Sequence, residues 1–438
     1  MSGVKGWQLG AAVLGGTIDD IATDKSISHR VAIFSLLSDR PSRVQNFLKA
    51  EDTLSSLSIA QALGAKITWC EDGSLEIVPP DQIREPSVVL DCGNAGTGMR
   101  LYAGLLSARD GHFVLSGDRY LNARPMKRVA DPLRRIGAQI DGRGEGNYAP
   151  LAIRGNPSPK AFDYTSPIAS AQVKSALILA ALFAEDTCRF REPELSRDHT
   201  ERMLAGMGAE IATSEGVVTI APLKAPLKPL EFSVPSDPSS AFFFAVAAAI
   251  TPGSAITLKN LTLNPTRIEA YRVLEQMGAQ VRFELIEDRF EPVGHIHVAY
   301  GTLKAVEVSQ KMAWLIDELP ALAIAMACAE GTSTVTGAEE LRVKESDRIT
   351  STVSNLKRCG IVAKELADGF SITGGTLHGA QIESFGDHRI AMSFAVAALV
   401  ANGTMHIHDV ACVDTSFPDF GTIYRRLGGV MKEHLLAD

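Results

Sequence analysis

Six short, almost entirely apolar segments recur along the chain, and their composition predicts helices that are buried on every side. Ala, Leu and Met are frequent in these segments, which favours helix over strand. A helix that is apolar all round has no face suited to water and must lie inside a core. The segments are residues 31–37, 99–106, 175–184, 241–250, 319–329 and 390–401.

A short motif centred on a glycine, here called the glycine tag, recurs once after each apolar segment. In its clearest copies the tag reads Leu, Ile or Met, then Gly, Ala, any residue and an apolar residue, which is typical of a helix end followed by a strand. Amphipathic helices precede the tags, for example at residues 125–136, where Pro125 is expected at the first helical position. The pattern predicts six α/β repeats whose helices fill two cores. The tag glycines, 68 to 82 residues apart, are Gly64, Gly137, Gly208, Gly278, Gly360 and Gly428.

Length and composition limit the class of protein. The 438 residues allow two to four domains. Aromatic residues make up only 6%, so small side chains must build much of the core. A net charge of −8 argues against non-specific nucleic-acid binding. The six irregularly spaced cysteines indicate reduced thiols, and no apolar stretch reaches the ~20 residues of a membrane span. We expect a soluble, cytoplasmic protein without a signal peptide.

Hydrogen-bonding or charged residues stand before every apolar segment. Helix capping explains residues 236–240, but it does not explain Lys25, Arg30, Lys174 and Arg389. Positive charge is unfavourable at a helix N-terminus, which already carries about +0.5 charge. Cations clustered there predict a bound anion, such as a phosphate or a carboxylate.

Further cations occur at Arg124, in residues 196–201 and in residues 342–348. If residues 342–348 are helical, Lys344 and Arg348 share a face, and Glu345 lies three positions before Arg348. Taken alone, this segment fits a solvated ion-pair face. The alternative is an anion site with one carboxylate for proton transfer.

Seven motifs, in order along nearly the whole chain from about Thr17, carry a family resemblance. The sequence resembles the 5-enolpyruvylshikimate-3-phosphate synthase family. The motifs are DKSISHR (24–30), GNAGTGMRL (93–101), RPMKRVADPLRRIGAQI (124–140), SAQVKSA (170–176), SRDHTE (196–201), RVKESDRI (342–349) and DHRIAMSFAV (387–396).

The resemblance implies an α/β fold, a two-domain inside-out α/β barrel with three repeats per domain, buried helices and outer sheets. The first domain would span residues 24–235, and the second would combine residues 1–23 with 236–438. The active site would lie in the cleft between them.

The resemblance also implies a reaction. The family moves the enolpyruvyl group of phosphoenolpyruvate onto the 5-hydroxyl of shikimate 3-phosphate and releases phosphate through a tetrahedral adduct. The expected partners are therefore two small anions, with no nucleic acid and no membrane. The scheme requires neither a metal nor an organic cofactor, and the family default is a monomer.

The resemblance also implies a role for individual residues. The implied catalytic residues are Asp317, Glu345, Lys25 and His388, with Asp317 receiving the 5-hydroxyl proton and Glu345 delivering a proton to C3. The implied ligands of shikimate 3-phosphate are Lys25, Ser26, Arg30, Ser170, Ala171, Gln172, Arg197, Asp317 and Lys344. Those of phosphoenolpyruvate are Lys25, Asn94, Gly96, Arg124, Gln172, Arg348 and Arg389.

Three positions distinguish this chain within the family pattern. Ala22 and Thr23 replace the usual Pro-Gly before the first motif, and Thr415 stands where some relatives have a lysine. One phosphate cation is therefore missing or supplied elsewhere. Gly96, rather than Ala, goes with room for glyphosate in this family, so we expect inhibition by glyphosate.

Two rival functions come from different classes. A UDP-N-acetylglucosamine enolpyruvyl transferase shares the fold, but residues 111–128 contain no cysteine, whereas that enzyme has a reactive one in this loop. A non-catalytic six-repeat scaffold has no reason to place Lys and Arg at buried helix N-termini. No P-loop motif G-x-x-x-x-G-K-[ST] occurs.

Overall fold

A computed structural model describes residues 4–288 and 290–436. The six apolar segments lie in buried helices, here called the core helices, as predicted. Several of the polar residues expected before these helices lie in their first turns, because short side chains cap the helix ends earlier than the apolar pattern predicted. Asp24 Oδ1, for example, accepts a hydrogen bond from the Ile27 amide at 2.9 Å. Asn94, Asp317 and Glu318 do precede their helices. The core helices are Lys25–Phe34, Gly96–Ser107, Ala171–Ala181, Pro238–Ile250, Leu319–Ala327 and His388–Ala397.

The glycine tags end the second helix of each repeat, as predicted. All six tag glycines have a positive φ, between 84° and 116°, a conformation that side chains with a Cβ disfavour. A strand follows each tag. The helices before the tags are Glu51–Ala62, Lys127–Arg135, His199–Gly206, Glu269–Met277, Arg348–Arg358 and Phe420–Arg426.

Six four-stranded sheets have the same topology: one edge pair is parallel and the other two pairs are antiparallel. Three sheets are, in strand order, Glu231–Ser233, Ser42–Gln45, Leu75–Val78, Lys66–Trp69; Leu90–Asp91, His112–Ser116, Tyr148–Arg154, Gln139–Gly142; and Asp163–Thr165, Cys188–Arg191, Val217–Ile220, Ile211–Ser214. The others are Gln280–Asp288, Pro292–Ala299, Ala255–Thr262, Gly15–Ile18; Glu307–Val308, Thr332–Val335, Gly369–Thr373, Val362–Leu366; and Gln381–Glu383, Met405–His408, Val4–Gly10, Val430–Leu436.

The described residues form two compact units of three repeats each. The N-unit contains residues 23–234 together with Phe290 and Glu291, and the C-unit contains residues 4–22, 235–288 and 292–436. The first strand of the chain lies in the C-unit, between Met405–His408 and Val430–Leu436. Trp7 on this strand stacks on Phe420 with ring centroids 5.6 Å apart, which anchors the strand to the core.

Small residues let the core helices approach closely, which explains the low aromatic content. In the N-unit, a Cβ added to Gly104 would lie only 2.3 Å from the Ala176 carbonyl oxygen of a neighbouring core helix. A side chain there would force the helices apart and leave voids in a core that is packed like a solid.

One local prediction was wrong. Pro125 does not begin a helix: the helix starts at Lys127, because a 3₁₀ turn over Leu121–Ala123 places Arg124 in an extended conformation. Residues 342–348, for which a helix was one possibility, do not form a single helix. Asp347 caps a new helix by accepting hydrogen bonds from the amides of Ile349 and Thr350, both at 3.1 Å. Side-chain capping here outweighs continuous helical pairing of the backbone.

Candidate functional site

The first core helix of the N-unit presents Lys25, Ser26 and Arg30. Lys25 forms an ion pair with Asp52, which sequence reasoning did not single out. Arg30 is almost fully buried, and its guanidinium donates to Thr200 Oγ1 at 2.8 Å and to Ser175 Oγ at 2.9 Å. It also donates to the Ser26 carbonyl at 2.9 Å. These bonds fix Arg30 relative to two other helices of the unit, as a rigid binding group requires.

The helix that begins at Ala171 supplies the second N-unit element. The N-cap, Ser170, accepts a bond from the Val173 amide at 3.5 Å, so its side chain faces the free end of the helix. Gln172 accepts a hydrogen bond from Arg100 and donates to Thr97 Oγ1 at 2.9 Å, which fixes the orientation of its amide. First-turn backbone N–H groups and the helix dipole favour an anion at this end.

Gly96 and Arg124, predicted to act together, lie together. A Cβ added to Gly96 would stand 3.0 Å from Arg124 Nη1 and 3.2 Å from Arg100 Nη1. Gly96 also begins a core helix, and its amide donates to the Asn94 carbonyl at 2.9 Å. Asn94, Arg124 and Arg197 are half-buried, so each retains access to solvent.

One cation from the sequence reasoning does not face a ligand. Lys174 was grouped with the cations that predict a bound anion, but its ammonium lies 3.0 Å from Glu192 and 2.9 Å from Glu201. Its charge is neutralised inside the N-unit. The sequence pattern was wrong here because the two carboxylates lie 18 and 27 residues further along the chain and follow no local rule.

In the C-unit, a single arginine holds both predicted proton-transfer carboxylates. Arg348, 1% exposed, donates from Nη2 to Glu345 Oε2 at 2.6 Å and from Nη1 to Asp317 Oδ1 at 3.4 Å. Its Nε donates to Asp387 Oδ2 at 2.8 Å. Burial works against the charge of Arg348, but the three carboxylates outweigh burial and raise the pKa of the guanidinium above its usual value. Lys344 lies 3.7 Å from Asp317 Oδ1.

Asp387 ties this cluster to the last core helix. Its side chain is fully buried and caps the helix by accepting a bond from the Arg389 amide at 2.9 Å. Arg389 in turn donates from Nη1 to the Asp317 carbonyl at 3.0 Å. The residues at 317, 344, 345, 348 and 389, which the resemblance assigned to the site, therefore lie close together in the C-unit. Asp387 stands before the last apolar segment and begins the motif DHRIAMSFAV, but it was assigned no role from the sequence.

His388 is neutral at physiological pH. Burial lowers the pKa of His388 to about 4, although the neighbouring Asp387 carboxylate acts in the opposite direction. Arg389 and Arg348 also lower this pKa, and Glu345 raises it. A neutral imidazole can donate or accept one hydrogen bond, but it does not supply a positive charge to an anionic substrate.

The burial of neutral His388 makes unfolding pH-dependent. The unfolded state binds a proton with a pKa near 6.5, and the folded state only near 4, so this histidine lowers stability as pH falls from about 6.5 to about 4. We expect a loss of about 3 kcal/mol across this range, and we expect His388→Asn to flatten the dependence by that amount. Urea unfolding of the wild type and of His388→Asn at several pH values measures the pH dependence of the free energy of unfolding. Parallel pH profiles would contradict the assignment.

The N-unit carries cations near the N-termini of its core helices, and the C-unit places three cations, Lys344, Arg348 and Arg389, among three carboxylates. Fold and clusters together define an α/β protein of two three-repeat units, each with cations able to pair with small anions.

Comparison with known proteins identifies the family. The family model described as EPSP synthase (3-phosphoshikimate 1-carboxyvinyltransferase) matches residues 10–423. A 3-phosphoshikimate 1-carboxyvinyltransferase of Nitratiruptor sp. is 63% identical over 408 residues, covering 92% of this chain and 94% of that protein. One from Sulfurimonas denitrificans is 60% identical over 409 residues, covering 93% and 94%. The solved EPSP synthase from Acinetobacter baumannii is 39% identical, with a TM-score of 0.88, and the match covers 98% of this chain and all of that one.

The chain belongs to the EPSP synthase family. The family, the fold class and the enzyme class predicted from the sequence are confirmed. Neither the nucleotide-sugar transferase nor the scaffold is favoured by these likenesses. Within the described part of the chain, no helix is long and apolar enough to span a membrane.

Proposed function

We propose that this protein transfers the enolpyruvyl group of phosphoenolpyruvate to the 5-hydroxyl of shikimate 3-phosphate. The observation that carries the proposal is the C-unit cluster, in which Arg348 holds Asp317 and Glu345 at once. The reaction needs one group to accept a proton and another to deliver one. Two carboxyl groups held by a shared guanidinium supply both if Asp317 is ionised and Glu345 carries the proton that it delivers.

The proposed mechanism is an addition followed by an elimination. Asp317 takes the proton of the 5-hydroxyl as the hydroxyl oxygen attacks C2 of phosphoenolpyruvate, and Glu345, which starts protonated, delivers its proton to C3. In the second step Glu345 takes a proton back from C3, the bond from C2 to the phosphate oxygen breaks, and the double bond forms again. Asp317 passes the hydroxyl proton to the departing phosphate, so both carboxyl groups return to their starting states and atoms and charge balance. No step uses a metal or an organic cofactor.

Substrate contacts are proposed from the two clusters. Shikimate 3-phosphate is held by Lys25, Ser26, Arg30, Ser170, Ala171, Gln172, Arg197, Asp317 and Lys344. Phosphoenolpyruvate is held by Lys25, Asn94, Gly96, Arg124, Gln172, Arg348 and Arg389. Guanidinium forks suit bidentate binding of carboxylate and phosphate. For Arg348 to take this role, substrate must displace Asp317 or Glu345 from its nitrogens.

In this proposal the N-unit and the C-unit are the two domains expected from the sequence, and both clusters act on one pair of substrates. The protein acts as a monomer in the cytoplasm, where both substrates would be available. His388 assists as a neutral hydrogen-bonding group.

One assay tests the proposed function. Phosphate release from phosphoenolpyruvate is followed with shikimate 3-phosphate, with UDP-N-acetylglucosamine and with neither acceptor. We expect release only with shikimate 3-phosphate. Release only with the nucleotide sugar would replace the proposal with the rival transferase, and no release with either acceptor would favour the scaffold.

Gly96 gives a separate prediction about the phosphoenolpyruvate side of the site. We expect millimolar glyphosate to inhibit the wild type. In Gly96→Ala, the added methyl pushes against Arg124 and raises the glyphosate concentration for half-inhibition about tenfold or more, since one extra carbon in a tight site changes binding by about 1–3 kcal/mol. Gly375→Ala is the control, because its Cβ meets only Ile361 Cδ1 at an ordinary 3.7 Å. Undiminished wild-type turnover in millimolar glyphosate would contradict the prediction.

A further inference from the structure

A buried three-member ion cluster lies beside the predicted phosphate-binding turn of the N-unit. Lys174 Nζ is 3.0 Å from Glu192 Oε1 and 2.9 Å from Glu201 Oε1, and it donates to the Ser196 carbonyl at 3.0 Å. The three side chains are 1%, 0% and 8% exposed. Water therefore does little to screen or satisfy these charges, and their partners must come from the protein.

Glu192 bonds to two separate segments with its two oxygens. Oε2 accepts from the Ser170 amide at 3.2 Å, and Ser170 caps the helix whose first turn contains Ala171 and Gln172. Oε1 accepts from the Ser196 amide at 2.7 Å and from the Ser196 hydroxyl at 2.9 Å. Ser196 directly precedes Arg197. One carboxylate thus fixes the distance between the helix end and the arginine segment.

The charge of the cluster argues against a role in attracting substrate. The cluster has no excess positive charge, because one ammonium faces two carboxyl groups, and burial raises the pKa of Glu201 although Lys174 acts in the opposite direction. It therefore has no net charge that would attract a phosphate. Burial alone would lower the pKa of Lys174, but Glu201 and Glu192 outweigh burial and raise it, so the ammonium stays charged. Stability is an equally poor explanation, because well-packed apolar residues often stabilise a core at least as well as buried ions do. What the cluster supplies is directional bonding to two segments.

We infer that Glu192, held in place by Lys174, is a positioning residue for the phosphate of shikimate 3-phosphate. It sets the separation between the backbone N–H groups at Ala171 and Gln172 and the guanidinium of Arg197, so that both reach one phosphate. This inference rests on the proposed function, because it assigns these groups to that substrate.

Two glutamine variants test the inference. In Glu192→Gln the side chain has one oxygen and one NH₂ group, so either Ser170 or Ser196 faces a donor where it had an acceptor. We expect KM for shikimate 3-phosphate to rise about tenfold or more, while KM for phosphoenolpyruvate changes less than about threefold.

Glu201→Gln is the matched control. Glu201 is buried and also pairs with Lys174, but its Oε2 has no hydrogen-bond partner among the described residues, and it makes no bond to Ser170 or Ser196. Its amide can keep an oxygen on Lys174 and place the NH₂ group at the unpartnered position. We expect a lower melting temperature, as in Glu192→Gln, with an unchanged KM for shikimate 3-phosphate. An equal rise of KM in both variants, or an unchanged KM in Glu192→Gln, would overturn the inference.

Ser196→Ala decides the question if Glu192→Gln does not fold. It removes one neutral hydrogen bond and no charge, and we expect KM for shikimate 3-phosphate to rise about threefold. An unchanged value would overturn the inference. Calorimetric titration of the wild type with shikimate 3-phosphate alone distinguishes failure of the proposed function from failure of the positioning role of Glu192. If the wild type neither binds this compound nor releases phosphate, the proposed function fails and the inference with it. If the wild type is active and only the variants behave otherwise than expected, the inference alone fails.

Discussion

Replacement of Glu345 by glutamine is expected to lower the turnover number for phosphate release by about 10²–10⁴-fold and to leave the fold intact. Glutamine has nearly the same shape and keeps an oxygen for Arg348, whose Nη2 lies 2.6 Å from the carboxylate in the wild type. It has no proton to deliver to C3. The loss should therefore fall on kcat rather than on substrate affinity, and steady-state kinetics with circular dichroism measures both.

The control is Glu365→Gln in the same unit. Glu365 also pairs with an arginine, at 3.0 Å from Arg342 Nη1, but both side chains are partly exposed. The same chemical change there should leave kcat within about twofold, because partly exposed pairs contribute little and this one is not assigned to the reaction. Near-normal turnover in Glu345→Gln would remove Glu345 from proton transfer.

Among the substitutions proposed here, replacement of Asp387 by alanine is expected to lower the free energy of unfolding most. Asp387 is fully buried and binds Arg348 through both oxygens, at 2.8 Å and 3.3 Å. Removal of Asp387 leaves the buried Nε of Arg348 without its acceptor, and only Asp317 and Glu345, which are 21% and 28% exposed, still pair with the guanidinium. Loss of one member of a buried pair costs about 3–5 kcal/mol. The variant also loses the cap of the helix at His388, which adds about 1 kcal/mol. Denaturant unfolding measures the change.

Asp20→Ala is the matched control for this loss. Asp20 and Arg426 form a similar two-oxygen pair in the C-unit, but the side chains are 50% and 45% exposed. Its removal should cost less than about 1 kcal/mol, because water replaces the lost partner. If Asp387→Ala and Asp20→Ala lost the same free energy of unfolding, burial would not be the cause of the larger loss expected for Asp387→Ala.

At low pH, the difference in the free energy of unfolding between the wild type and Asp387→Ala should become smaller. Burial raises the pKa of Asp387, but Arg348 outweighs burial and holds it below its ordinary value. A carboxylate with a lowered folded pKa stabilises the protein above its unfolded pKa, near 4, and this contribution is lost as pH falls through the folded pKa.

Much of the fold was predictable because it depends on local patterns. Apolar segments rich in Ala and Leu predicted the core helices, and glycines that need a positive φ predicted the six helix ends. Boundaries were less predictable. The helix expected to begin at Pro125 begins at Lys127, and residues 342–348, for which a helix was one possibility, are divided where Asp347 caps a new helix. Capping competes with helical pairing residue by residue.

For the candidate site, the sequence predicted which residues carry chemistry but not their partners. The family resemblance pointed to Glu345 and Asp317, and the structure places both on Arg348. Glu192 gave no signal at all, because a lone acidic residue between a strand and a motif resembles many surface residues.

By itself, the sequence determined the six-repeat organisation, the family and the chemical types available to the site. These features are encoded in residues a few positions apart, where helix and turn geometry act directly. Only the tertiary structure decided which charged side chains are available to a ligand and which pair with other side chains of the protein. Lys174 was read as part of an anion site, yet it is neutralised by Glu192 and Glu201. A buried charge takes its partner from whatever side chain the fold brings within about 4 Å, and that choice follows from packing between distant segments.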